Sequence, residues 1–150
     1  MHNLVTIEIC NYNGFRNPIK GKGRVVTTIE SLLESCPCAQ NLPVFLIDND
    51  SRDGSKDYLF ALKFGEKIFQ KRTLIGSKDW ESTTLNNIIN LRKTVYKTKT
   101  PYLWRIENDS YFYNSGPFIE KAIQVFESDN DVHIIHLRKW TPTDAKDMPG

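Results

Sequence analysis

Short, nearly continuous apolar runs alternate along this chain with apolar residues spaced as on a helix, and no other feature narrows its fold as far. Leu4–Cys10 (LVTIEIC) is β-branched and apolar and reads as a buried strand. After a polar loop, Val25, Val26, Ile29, Leu32 and Leu33 recur at helical spacing. Pro43–Asn49 (PVFLIDN) reads as a second strand, apolar on both faces. Ser55 can cap a short helix that carries Tyr58, Leu59 and Leu62. Lys67–Arg72 is a weaker third strand, and Leu85, Ile88, Ile89, Arg92, Val95 and Tyr96 then trace one helical stripe. Tyr102–Ile106 is a fourth strand. Ser115 and Pro117 signal the start of a last helix with Phe118, Ile119, Ala122, Ile123 and Phe126 on its stripe. Val132–Leu137 reads as a fifth strand, and the tail beyond it has no period. Parallel strands need crossover connections, so this order predicts an α/β fold: a mostly parallel sheet with helices on both faces.

Length and charge restrict the function classes. A chain of 150 residues fits one domain, spanning 1–150. A net charge of +2 gives no general attraction to nucleic acid, which is not expected as a partner. No apolar stretch is long enough to cross a bilayer and the N-terminus lacks a signal-peptide pattern, so a cytoplasmic location is expected. A peripheral association with a membrane would leave no mark on the sequence and stays open. The three cysteines, Cys10, Cys36 and Cys38, are read as reduced thiols. The CPC pair has no second Cys or His pair at a supporting spacing. His133 and His136 would point to opposite faces of a strand, which argues against a shared metal.

In parallel α/β sheets, ligands bind beyond the carboxyl ends of the strands. The first strand here runs into Asn11–Gly14 (NYNG), the second into Asp48–Ser55 (DNDSRDGS) and the fourth into Glu107–Ser110 (ENDS). Each alone is explained by turns and caps. Together, on one edge of one sheet, they would form a polar pocket of carboxylates and amides. The segment after the first strand lacks G-x-G-x-x-G, and Gly21–Arg24 (GKGR) lacks the spacing and hydroxyl of a P-loop. GKGR stands just before a helix start, where it either meets phosphate or is a solvated loop.

Taken in order, ICNYNG, TIESLLES, FLIDNDSRDGS and YLWRIENDSYFYNSGPFIEKAI resemble the motifs of family 2 glycosyltransferases of the GT-A fold. The most specific match is the second-strand element, where Asp48, Asn49, Ser51, Asp53, Gly54 and Ser55 fall in register. The resemblance implies a Rossmann-like GT-A domain, truncated to the donor-binding half. It also implies metal-dependent transfer of a sugar from a nucleoside-diphosphate donor, a UDP-sugar first, to a carbohydrate or other hydroxyl acceptor, with inversion. A non-catalytic nucleotide-sugar binding module, or a fragment of a longer enzyme, is the alternative, because no residue here matches the general base that the family carries further along.

The resemblance also distributes roles among residues. Asp109, at the end of the fourth strand, is expected to bind a divalent cation, Mn²⁺ or Mg²⁺, which would bridge the diphosphate oxygens. Glu107 is its partner, one methylene longer than the usual Asp or Asn. Two apart on an extended chain, the two carboxylates would project to the same side. Asp48 is expected against the nucleobase. Tyr12 either stacks on the base or is a partly buried core aromatic, and Asn13 borders the ribose. Asn49 and Asn108 are expected to border the donor as well. Asp53 and Gly54 are expected to shape the turn and the helix start. Asn86 or Asn87 stands where many members carry an Asn. Arg105 receives no role.

Overall fold

The computed structural model describes residues 4–18, 21–75, 79–113 and 116–135. The chain divides into two compact units, Met1–Gly116 and Pro117–Gly150. The first holds β1 (Val5–Asn11), α1 (Arg24–Ser35), β2 (Val44–Asp48), α2 (Ser55–Ala61), β3 (Glu66–Phe69), α3 (Asp79–Lys97) and β4 (Tyr102–Glu107). A 3₁₀ turn, Pro37–Asn41, joins α1 to β2. The second unit contributes α4 (Phe118–Ser128), with Ile119 and Ile123 as its buried residues.

The four strands form one sheet in the order β3-β2-β1-β4, and every pairing is parallel. The α/β expectation and the parallel sheet are therefore observed. Side chains alternate along β1, so Val5, Ile7, Ile9 and Asn11 share one face, and Thr6, Glu8 and Cys10 the other. Asn11 meets Ser55 at the start of α2, whereas Glu8 meets Thr94 of α3. Helices thus lie on both faces. Right-handed crossovers give the same arrangement, because β1-α1-β2-α2-β3 steps outward in one direction and β3-α3-β4 steps back. The α1–α2 face is apolar, with Ile7, Ile9, Val25, Ile29, Leu32, Leu46 and Leu59 all buried.

The α3 face is unlike what the helical stripe implied. The helix forms, yet Ile88 is 60 %, Val95 54 % and Tyr96 79 % exposed. From Ser82 onward the buried positions are Ser82, Asn86, Asn90 and Thr94, one per turn. The reason is the polarity of what α3 covers. Glu8, fully buried in mid-sheet, accepts from Thr94 Oγ1 and from Cys10 Sγ and faces the Arg105 guanidinium at 3.4 Å. Asn90 donates to Asn49 Oδ1 at 2.6 Å. Asn86 accepts from the Thr73 N–H and donates to the Thr73 carbonyl, and Ser82 does the same for Ile75. An isoleucine at Asn90 or Thr94 would take a partner from the buried Asn49 or Glu8 side chain, at about 1–3 kcal/mol each, and at Ser82 or Asn86 it would release the backbone of Ile75 or Thr73. The helix therefore turns its amides and hydroxyls inward.

Two further expectations are corrected. Ser55 does not cap α2; Gly54 holds the N-cap with φ 86°, a left-handed conformation that favours glycine, and Ser55 is the first helical residue. Residues 132–135 carry no strand. The chain there is used in a turn, with Asp131 N bonded to Asp129 Oδ1 and Val132 N to the Asp129 carbonyl. The remainder of the expected fifth strand, His136 and Leu137, lies outside the described residues, as do Ser115 and the tail. Among the described residues no helix is long and apolar enough to cross a membrane.

The buried Glu8–Arg105 pair yields a direct test. Replacing Arg105 by Met leaves the Glu8 carboxylate buried without its cation, and should cost about 3 kcal/mol, the lower end for a broken buried pair because Arg105 is partly exposed. Urea unfolding of wild type and variant at neutral pH measures this; equal midpoints would show that the pair contributes nothing.

Candidate functional site

Three strand ends meet at the side chain of Asn11, the last residue of β1, which is fully buried. Its Nδ2 lies 2.7 Å from Asp48 Oδ2, 3.1 Å from Ser51 Oγ and 3.0 Å from Ser55 Oγ, so two hydrogens serve three acceptors. Its Oδ1 accepts from Asn108 Nδ2 at 3.0 Å, which ties in the end of β4. Gly14 is required beside it: a Cβ there would collide with Asn11 Oδ1 and fall within 2.8 Å of the Val25 Cβ.

The loop after β2 clasps the loop after β1 through its polar side chains. Ser51 Oγ accepts from Asn13 N, Ser55 Oγ from Gly14 N, and Asp53 Oδ2 from Phe15 N. In return Asn13 Oδ1 accepts from Arg52 N. Asn13 and Asp50 hold left-handed backbone, with φ 47° and 65°, a conformation that Asn and Asp tolerate best among non-glycine residues. Burial by itself would raise the Asp53 carboxyl, but hydrogen bonds from the Ser55 hydroxyl and from the Ser55 and Phe15 N–H groups hold it below its ordinary 3.8.

These contacts sort the candidate residues. Asp48 is fully buried, with Oδ1 bonded to Ser51 N and Oδ2 to Asn11. It organises the strand ends from behind and offers no oxygen to a base. Ser51, Asp53 and Ser55 likewise bond within the clasp, as does Asn13 through its N–H and Oδ1. In front of it, at the carboxyl ends of β1 and β4, lies a cleft of about 210 Å³. Tyr12, Asn49, Glu107, Asn108 and Asp109 line it, so these candidates are brought together. Asn87 lines it too, while Asn86 is committed to Thr73. Here the strand order reverses, β1–β2–β3 running one way and β4 the other. In doubly wound sheets that switch point is where ligands bind.

The acid turn differs from an extended chain. Ser110 N donates to the Glu107 carbonyl at 3.2 Å, so residues 107–110 form a turn and the same-side argument for Glu107 and Asp109 does not apply. Both still line the cleft. Asn108 holds the turn down by donating to Asn11 Oδ1 and to the Tyr12 carbonyl. The segment beyond is held by α1: Thr28 Oγ1 donates to the Ser110 carbonyl, and Ser31 and Ser35 bond the Phe112 N–H and carbonyl. Asp109 Oδ1 is buried with no partner in the protein. Such an atom costs free energy unless a ligand, ion or water satisfies it.

Two arginines complete the lining, and of these Arg72 was not singled out from the sequence. Arg72 lies over the Tyr12 ring, 3.8 Å from its centroid, and its Nη2 reaches Thr83 Oγ1 at 2.9 Å. One face of Tyr12 is therefore already covered by a guanidinium. Arg24, the first residue of α1, lines the cleft with its Nε buried and unpartnered. Arg24 belongs to the GKGR segment noted for phosphate. Arg72 follows β3, the strand end left unread because it is basic rather than rich in Asn and Asp. Cys10 also lines the cleft, but burial, followed by the adjacent Glu8 carboxylate, pushes its thiol far above the usual range and removes it as a nucleophile.

The cation expectation meets a defined donor set. Among the described residues no three His, Cys, Asp or Glu side chains cluster as a metal site. Glu107 and Asp109 supply carboxylates for a hard cation only if phosphate oxygens and water complete its shell, which is how Mg²⁺ is commonly held. A larger hollow of about 440 Å³ opens at the opposite edge of the sheet, beside Pro43, Gly65 and Thr100. There Lys97 is already paired with Glu66. Ligands of parallel sheets bind at the other edge, and the smaller cleft carries two buried unpartnered atoms, Arg24 Nε and Asp109 Oδ1.

Set against protein-family models, curated proteins and solved structures, the chain matches none of them.

Two substitutions test the strand-end network. Asn11→Asp keeps the shape but sets a second carboxylate against Asp48 in a buried place. It should destabilise the fold by roughly 3 kcal/mol at neutral pH. The introduced carboxyl would have a raised pKa, so the penalty is full above that pKa and shrinks as pH falls. Denaturation midpoints across pH would show this recovery, and a pH-independent deficit would contradict it. Asp53→Asn tests the opposite sign. The lowered Asp53 pKa stabilises the fold above its ordinary 3.8 and loses that contribution as pH falls through the folded value. The variant's stability should fall less steeply between about pH 5 and 3.

Proposed function

We propose that this cleft is the donor site of a metal-dependent glycosyltransferase of family 2. It would bind the diphosphate of a nucleotide sugar with a divalent cation, and the sugar would pass to an acceptor hydroxyl. The observation that carries the reading is the pairing of charges in one cleft at the switch point. Arg24 and Arg72 suit a diphosphate, and Glu107 and Asp109, the latter with an unsatisfied buried oxygen, suit a cation. The parallel sheet in the order β3-β2-β1-β4 is compatible with the Rossmann-like core of a GT-A domain. The motifs FLIDNDSRDGS and RIENDSYF support the same family.

Glu107 and Asp109 would hold Mn²⁺ or Mg²⁺. Bound there with a donor, the cation would neutralise charge building on the leaving diphosphate. Arg24 and Arg72 would orient the phosphates; a guanidinium can bond two phosphate oxygens at once. The cleft's 210 Å³ is smaller than the roughly 300–1,000 Å³ of drug-sized ligand sites. It matches the charged middle of the donor, with base and sugar extending past its rims. With Asp48 buried outside the lining, base selectivity would fall to groups around Tyr12 and Asn49.

Calorimetric titration with UDP and GDP, with and without Mn²⁺, tests this reading. Binding should require Mn²⁺ and weaken at least roughly tenfold in Asp109→Asn, the loss of one charge-assisted contact. Arg72→Gln should weaken binding by a similar factor while keeping the Mn²⁺ requirement. Absence of binding by either diphosphate, or unchanged affinity in Asp109→Asn, would overturn the proposal.

A further inference from the structure

Away from the cleft, Cys36 and Cys38 are brought together at the end of α1. Cys36 closes the helix with its N–H on the Leu32 carbonyl at 2.7 Å. Pro37 then starts the 3₁₀ turn, and Ala39 N returns to the Cys36 carbonyl at 2.9 Å. This tight bend sets the two Sγ atoms 3.0 Å apart, as unbridged thiols. Cys36 is buried, whereas Cys38 is partly exposed.

Sulfurs in contact suit either of the two chemistries of a Cys-x-Cys pair, and the surrounding ligand set separates them. Tetrahedral zinc, with Zn–S near 2.3 Å, holds its sulfurs about 3.7 Å apart and needs further ligands. Among the described residues no group of three ligating side chains exists. A disulfide needs the sulfurs to close to about 2.05 Å, a movement of roughly one ångström. We propose that Cys36 and Cys38 are a reversible dithiol–disulfide site that exchanges with small disulfides of the glutathione type.

The exchange balances as two displacements. The Cys38 thiolate, the accessible one, attacks a sulfur of the oxidised small disulfide and releases one small thiolate, leaving a mixed disulfide at Cys38. The Cys36 thiolate then attacks Cys38 Sγ and releases the second. The protein loses two thiol hydrogens and two electrons, and the small disulfide becomes two thiols. Cys10 is an internal control: it lies in mid-sheet, buried, with its thiol bonded to Glu8 at 2.9 Å.

The test uses the whole chain, equilibrated across ratios of reduced to oxidised glutathione, quenched with an alkylating reagent and mapped by mass spectrometry. The peptide containing Cys36 and Cys38 should lose two hydrogens and take up no reagent at oxidising ratios. Dithiothreitol should reverse this, and Cys10 should remain a thiol throughout. Cys36→Ser should instead accumulate a stable glutathione adduct on Cys38. A stable glutathione adduct in the wild-type chain, or alkylation of both cysteines at every ratio, would overturn the proposal. Neither outcome bears on nucleotide binding, which is read separately by calorimetry.

Discussion

The amide of Asn11 is the interaction on which the carboxyl edge of the sheet depends. Parallel strands end with their loops unpaired, and three such ends must be held together without a ladder to do it. One planar group with donors on one side and an acceptor on the other solves this at the tip of β1. Its nitrogen gathers Asp48, Ser51 and Ser55, and its oxygen takes Asn108. A carboxylate could not donate and a hydrophobic side chain could do neither. The collision awaiting any side chain at Gly14 follows from how closely the backbone must wrap this amide.

A second device recurs on both sides of the cleft. Among the described residues the irregular segments that follow β3 and β4 have no neighbouring strand, and helix side chains stand in for one. On α3, Asn86 and Ser82 satisfy both backbone groups of Thr73 and of Ile75. On α1, Ser31 and Ser35 do the same for Phe112, and Thr28 takes the Ser110 carbonyl. Arg72 and Asp109 each stand immediately before one of these fixed segments. Arg72 and Asp109 are therefore placed next to backbone fixed by hydrogen bonds rather than by apolar packing, which has more tolerance for displacement.

How far the sequence could be read follows from the same physics. β1, β2 and β4 were legible because parallel strands covered on both faces leave apolar runs, and their order gave the α/β class. α3 was legible as a helix but not in orientation. Its buried row, Ser82, Asn86, Asn90 and Thr94, has the composition of a solvated face, and its apolar stripe looks like a core. Only the identity of the partners, Glu8 in mid-strand and the backbone after β3, reverses the reading, and those partners are distant in sequence. The cleft was legible at Tyr12, Asn49, Glu107, Asn108 and Asp109 through the strand-end rule. Asp48 lies buried behind the cleft and not in its lining, a placement hidden in the sequence because a motif records which residues are present and not where their oxygens point. Arg72 escaped because its strand was weak and its chemistry unlike that of its neighbours.

The inverted helix has a consequence for anyone altering this chain. Tolerance to substitution along α3 should run opposite to hydropathy. Charged residues at Ile88, Val95 or Tyr96 would touch little besides solvent, while a modest change such as Asn90→Leu would strand the Asn49 side chain at the rim of the cleft. A redesign that restored a conventional amphipathic pattern would thus raise the helix's apparent ideality and dismantle the wall behind the site.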